Sequence, residues 1–266
     1  MHPSKNETGK LVESYTSRMT DPVLRTRSLF KFQGAEKAAR PVLQDVELEM
    51  AKGEFLCVMG PSGSGKTTLL HLLSGLDAAS AGNIELGGVD LSGLSTAKRT
   101  LHRRREVGYV FQFFNLLPNL SVEENIGLPL AIAGSRPEAR RSEIHELAKR
   151  LGLSGRLDAF PHELSGGEMQ RASIARALIG GQRLLLCDEP TGNLAQKAGA
   201  EVMELLLEAV REDQRSVLLV THNPRDAAYA DRILFLVDGQ IAPDSELKGP
   251  DIQVADIHAA LGRLSI

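Results

Sequence analysis

Gly60-Pro61-Ser62-Gly63-Ser64-Gly65-Lys66-Thr67, followed by Thr68, fits the pattern G-x-x-x-x-G-K-[ST]. Glycines let a backbone curl until successive N–H groups point at one anion. A helix starting at the end of such a loop adds the positive end of its dipole. The Lys66 ammonium can reach the β- and γ-phosphates of a nucleotide, and the Thr67 hydroxyl can serve Mg2+. Residues 60–68 are therefore expected to bind Mg-ATP. The second constellation is Asp188-Glu189, at the end of the apolar run Arg183-Leu184-Leu185-Leu186-Cys187. Asp188 suits Mg2+, directly or through water, and Glu189 suits the polarisation of an attacking water. Two adjacent acids at a strand end are commonly only solvated. The phosphate loop upstream gives this pair its meaning.

A third segment is Leu164-Ser165-Gly166-Gly167-Glu168-Met169-Gln170-Arg171. Ser165 can cap a helix, and Gly166 and Gly167 bare backbone N–H groups, which makes a second anion site. This segment resembles the signature sequence of ABC transporter ATPases, and it precedes the acidic pair as it does in that family. Many members have glutamine where Glu168 stands. The resemblance implies that Ser165, Gly166, Gly167 and Glu168 face the γ-phosphate of ATP held by a second copy, so that two subunits close over two nucleotides. It implies that Gln112 senses Mg2+ and the attacking water. It implies that His222, after Leu218-Leu219-Val220-Thr221, contacts the γ-phosphate. Phe32 falls where the family places an aromatic that stacks on adenine, often a tyrosine; phenylalanine can stack but offers no hydroxyl.

Pro190-Thr191-Gly192-Asn193-Leu194 follows the family pattern, but Ala195 stands where an aspartate is usual. That aspartate helps couple the two nucleotide sites, so the rate and coupling of hydrolysis are expected to differ, and ATP binding is not. Tyr109-Val110-Phe111-Gln112-Phe113-Phe114-Asn115-Leu116-Leu117-Pro118, with Glu124-Asn125 and Pro129-Leu130, is similar to one branch. That branch serves lipoprotein release, macrolide or peptide export, and cell division. In the family the groove after the glutamine receives a short helix of a membrane partner, which makes residues 113–130 the expected coupling surface.

Elements that could position these residues are legible in the patterning. Residues 55–59 are a continuous apolar run before the glycine loop, and residues 67–73 have a helical pattern. Residues 46–50 alternate with period two, as a half-buried strand does. Residues 83–86 with Gly87-Gly88 read as a strand and turn. Residues 97–105 read as a basic helix with a solvated face. Residues 107–112 form another apolar strand. Ser121 and Glu124 have capping-box spacing. Residues 137–151 are amphipathic and helical, and a helix runs from Ser165 through Leu178. Residues 183–187 and 216–221 are short apolar runs typical of buried parallel strands, with a helix over 201–210 between them. Residues 233–237 end in Asp238-Gly239, a hairpin signal before Gln240-Ile241. Apolar strands alternating with helices imply a parallel sheet covered on both faces.

The expected fold is an α/β P-loop NTPase with a RecA-like parallel core, an N-terminal antiparallel β part and a helical subdomain at about 113–175. The ATPase domain is expected over 23–241, with a flexible tail over 1–22 and a C-terminal extension over 242–266.

The chain has 266 residues, 42% hydrophobic and 24% charged, with a formal net charge of −3. That balance argues against nucleic acid as a partner. Cys57 and Cys187 each sit in an apolar run and read as buried strand residues; no CxxC spacing suggests zinc. The polar N-terminus carries no apolar stretch of signal-peptide length, and no apolar run approaches the ~20 residues that span a bilayer. The chain is expected to be soluble and cytoplasmic. It would sit on the cytoplasmic face of the inner membrane only through a partner. The function expected is ATP hydrolysis by a homodimer, coupled to separate integral membrane permease subunits, for export or lipoprotein release. The alternative is ATP-driven transmembrane signalling to a cell-wall hydrolase. A soluble ABC protein acting on ribosomes or DNA would usually carry two cassettes or a long coiled coil, and this chain has neither.

Overall fold

The computed structural model describes residues 22–34 and 39–266. The tail expected over 1–22 lies outside these residues apart from Pro22, which already belongs to a strand.

The chain opens with two antiparallel strands, β1 (Pro22–Gln33) and β2 (Arg40–Ala51). β3 (Phe55–Met59) leads through the glycine loop into α1 (Lys66–Leu73). β4 (Ala81–Leu86) and β5 (Val89–Asp90) are joined at Gly87 and Gly88, both at positive φ. The exposed helix α2 (Thr96–Glu106) buries no residue and leads into β6 (Val107–Val110). A helical region follows: α3 (Val122–Ile132), a 3-10 turn (Pro137–Arg140), α4 (Arg141–Arg150) and α5 (Gly166–Leu178). Next come β7 (Leu184–Asp188), α6 (Gln196–Arg211), β8 (Ser216–Thr221) and the short α7 (Pro224–Ala227). The described chain finishes with β9 (Arg232–Val237), β10 (Gln240–Ile241), β11 (Leu247–Lys248) and α8 (Val254–Arg263).

The strands form two sheets. One is antiparallel, in the order β2-β1-β4-β5. The other runs β10-β9-β3-β8-β7-β6, parallel from β9 to β6, with β11 on β9. The apolar runs of the parallel strands follow from burial on both faces. Successive side chains divide between two cores, as a period of two requires. Phe55, Cys57, Leu185, Cys187, Val217 and Leu219 pack into the core shared with α3 to α6. Leu56, Val58, Leu184, Leu186, Leu218 and Val220 pack into the core shared with α1 and the antiparallel sheet. Each fully buried leucine contributes about 1.5–3 kcal/mol over an exposed one. Cys57 and Cys187 are buried and unpaired, as expected.

Several boundaries differ from the sequence reading, among them the strand expected over 46–50, which runs from Arg40 to Ala51. The strand expected over 107–112 stops at Val110, where pairing with Cys187 ends, and the chain then turns through Phe114 and Asn115 at φ 59 and 50. Gln112 therefore stands on a loop. The helix expected over 137–151 opens as a 3-10 turn with Pro137 at its first position, a frequent tightening at helix starts. The helix expected from 201 begins at Gln196, capped only by the backbone of Ala195. Without a capping side chain, and with Gly199 in its first turns, that start carries no sequence signal. Among the described residues no helix is long and apolar enough to cross a membrane.

Candidate functional site

β8 lies between β3 and β7, with Met59 beside Thr221 and Asp188 beside Val220. This strand order brings the glycine loop, the acidic pair and His222 to the carboxyl ends of neighbouring parallel strands. Ligands of open α/β sheets bind at such ends.

The loop needs glycine for two separate reasons. Gly63 and Gly65 take φ of 84 and 105, a region side chains avoid. A Cβ at Gly60 would collide with the carbonyl oxygen of Leu236, so no other residue fits there. Gly65 caps α1 without a side-chain cap, and the first N–H groups of that helix have no partners within it. Lys66 arches back so that Nζ donates to the carbonyls of Gly60 and Pro61 at 2.9 and 3.0 Å. Burial lowers its pKa, while Glu189 and Asp188 pull the other way. Carbonyl oxygens thus hold the ammonium over the loop, where phosphate oxygens can replace them.

Thr67 Oγ1 donates to Asp188 Oδ1 at 3.2 Å. Burial pushes the Asp188 carboxyl up, and this hydrogen bond opposes the shift. A hydroxyl beside a carboxylate is a hard-oxygen pair that fits Mg2+. Among the described residues no group of three or more His, Cys, Asp and Glu could hold a metal alone.

Glu189 has φ 42, rare for a residue with a side chain, and its N–H donates to Val220 O at 3.0 Å. Backbone strain of this kind clusters at functional sites. Glu189 Oε1 lies 2.9 Å from His222 Nδ1, within hydrogen-bond distance. Gln112, Glu189 and His222 line one open cleft of about 800 Å3 together with Thr191 and Gly192. The sequence pointed to Lys66, Thr67, Asp188, Glu189, Gln112 and His222 separately; the fold gathers them in one region.

Ser165 and Phe32 stand elsewhere. Ser165 caps α5, with Oγ accepting from the Glu168 N–H at 3.3 Å. Glu168 Oε2 accepts from Ser165 N at 2.8 Å and from Ser165 Oγ at 2.7 Å, and Oε1 accepts from Arg156 Nε at 2.7 Å. The Ser165 backbone donor, then its hydroxyl and Arg156, draw the Glu168 carboxyl down to about 2. This carboxylate is taken up in holding Ser165 rather than directed outward. Gly166 and Gly167 sit against Leu194 and Ala198, where an added Cβ would lie 3.3 Å from each. Phe32 is 44% exposed on β1 and stacks on Phe30, with ring centroids 6.3 Å apart.

Asp226 is a site residue the sequence reading missed. The Thr191 hydroxyl donates to its carboxylate, and burial raises its pKa. The contact ties the loop after the acidic pair to α7, just beyond His222. A lone acid on a four-residue helix gives no pattern from which this could be read.

Ala195 is the N-cap of α6, with backbone angles of −62° and 148° and no side-chain cap. Ala195→Asp is expected to stabilise the chain by about 1 kcal/mol through capping. It is also expected to raise ATP turnover. Thermal melting and phosphate release read the two effects separately, and an unchanged rate would remove the second.

Residues 43–192 match the family described as ABC transporter. The lipoprotein-releasing system ATP-binding protein LolD of Bordetella pertussis is 40% identical over 225 residues, covering 85% of this chain and 97% of that protein. The macrolide export ATP-binding/permease protein MacB of Nitrosomonas europaea is 41% identical over 247 residues, covering 92% of this chain but 37% of that longer protein. Among solved structures, the dimeric, post-hydrolysis state of the ATP-binding cassette MJ0796 bound to ADP and Pi superposes with a TM-score of 0.78. It is 34% identical and covers 86% of this chain and all of that one. With a glycine loop, an acidic strand end and a capped Ser-Gly-Gly helix on one α/β core, the chain belongs to the ABC transporter ATP-binding family.

Proposed function

We propose that this ATPase works as a homodimer closing over two molecules of Mg-ATP, and that closure drives separate membrane permease subunits in export or lipoprotein release. The observation that carries the reading is the separation of two anion-binding features. The phosphate loop meets Asp188 through Thr67, whereas Ser165 heads a different helix whose first turn packs on Leu194 and Ala198. A second copy supplying Ser165 and Gly167 would complete the site. The dimeric solved relative and the names LolD and MacB support this reading over the signalling alternative.

In the proposed site, residues 60–68 wrap the phosphates, and Lys66 exchanges its carbonyl partners for β- and γ-phosphate oxygens. Thr67, Asp188 and Gln112 would hold Mg2+, which would supply positive charge to the nucleotide phosphates. Glu189 accepts the proton of the attacking water, and His222 steadies Glu189 and the γ-phosphate. Phe32, exposed on β1, stacks on adenine. The ATPase body is residues 23–241, with the helical lobe at 113–175. The exposed Phe113 and Leu117 form part of the surface that meets the permease, and through it the chain sits on the cytoplasmic face of the inner membrane. Nucleic acid has no part in this reading.

Tagged Glu189→Gln with Mg-ATP, used to capture partners from detergent-solubilised membranes, tests the proposal. Recovery of a multi-span membrane protein is the expected result. Recovery of soluble partners or ribosomes alone would overturn the transport reading and leave the ATPase intact.

A further inference from the structure

We infer that Arg176, on the last turn of α5, is a positioning residue for hydrolysis: it holds Gln112 in place by clamping the loop on which Gln112 stands. The inference rests on the role proposed above for Gln112. Arg176 Nη1 donates to the carbonyl of Asn115 at 2.6 Å, and Nη2 donates to the carbonyl of Phe114 at 2.8 Å. Phe114 and Asn115 are the consecutive residues with left-handed backbone, where side chains are disfavoured. One planar guanidinium therefore spans the strained turn that follows Gln112. Lysine has no such fork.

The electrostatics agree with the geometry. Arg176 is partly buried, burial lowers its pKa, and among the described residues no carboxylate pairs with it. A cation taken out of water needs other partners. Here they are the two carbonyls of the turn, so the charge and the turn stabilise each other. Two further side chains hold the same loop. Asn193 Nδ2 donates to the carbonyl of Gln112 at 2.9 Å, and Gln170 Nε2, also on α5, makes a longer contact with the carbonyl of Phe111 at 3.5 Å. The helix headed by Ser165 thus grips the loop of Gln112 at its other end.

The experiment compares Arg176→Gln, Arg176→Lys, Gln112→Ala and the double variant Gln112→Ala/Arg176→Gln. Misplacing a reacting geometry by about 1 Å can cost about a hundredfold in rate. Arg176→Gln is expected to lower kcat by about ten- to a hundredfold with KM for ATP unchanged, and Arg176→Lys by less. In the Gln112→Ala background Arg176→Gln should cost nothing further, because the clamp acts through Gln112. Adding Asn115→Gly to Arg176→Gln should recover part of the rate, since glycine accepts the left-handed turn without a clamp. Losses that multiply in the double variant, or a raised KM with kcat intact, would overturn the inference.

Hydrogen exchange of amides 111–117 reads the clamp without reference to activity. Faster exchange in Arg176→Gln is expected, and unchanged exchange would overturn the clamp. Wild-type turnover in Gln112→Ala would instead remove the role of Gln112, and with it the catalytic part of the inference.

Discussion

Glu189→Gln is expected to bind ATP as tightly as the parent chain and to lose about 10²- to 10⁴-fold in turnover, the range a positioned general base contributes. The glutamine side chain keeps the size of the carboxylate and can still meet His222 Nδ1, now 2.9 Å from Glu189 Oε1. It cannot take the proton of an attacking water at neutral pH. The backbone at φ 42, fixed by the N–H bond to Val220 O, is unaffected by the change of side chain. Single-turnover phosphate release, with nucleotide affinity measured on the same preparation, checks both halves. Normal turnover would exclude Glu189 as the base, and lost binding would mean that the residue shapes the pocket instead.

The second large effect is expected at Lys66. Lys66→Ala removes the ammonium that bonds Gly60 O and Pro61 O and leaves the loop without its cation. A hydrogen bond from a charged group contributes about 1.5–3 kcal/mol, which corresponds to ATP binding weaker by roughly 10- to 150-fold. Loss of a donor aimed at developing charge removes a further factor of about 10² or more from turnover. The fold should persist, because both contacts of Nζ lie within the loop. Phosphate release and the circular dichroism of the variant decide the matter. Wild-type release would contradict the assignment of the loop.

How much of this could be read from sequence depends on the range of the interaction. The glycine loop, the acidic pair and the capped helix at Ser165 are local patterns, and the parallel strands that carry them advertise themselves as unbroken apolar runs. The capping box at Ser165 and Glu168 was only half legible. Ser165 reads as a helix cap, but the hold that Glu168 places on it involves Arg156, from a separate turn of the chain. The Arg176 fork spans 61 and 62 residues, the Thr191–Asp226 contact spans 35, and neither has a motif. The end of β6 was overrun for a related reason. Phe111 continues the apolar run after Val110, and only the limit of pairing with β7 shows where the strand stops.

In the proposed cycle one chain holds ATP and a second chain completes the site. Light scattering of purified Glu189→Gln, with and without saturating Mg-ATP, decides whether it does. A species of 28.8 kDa is expected without nucleotide and one of twice that mass with Mg-ATP. Ser165→Ala in the same background is expected to weaken the larger species. A chain that binds Mg-ATP and stays at the single-chain mass would rule out a site shared between two copies.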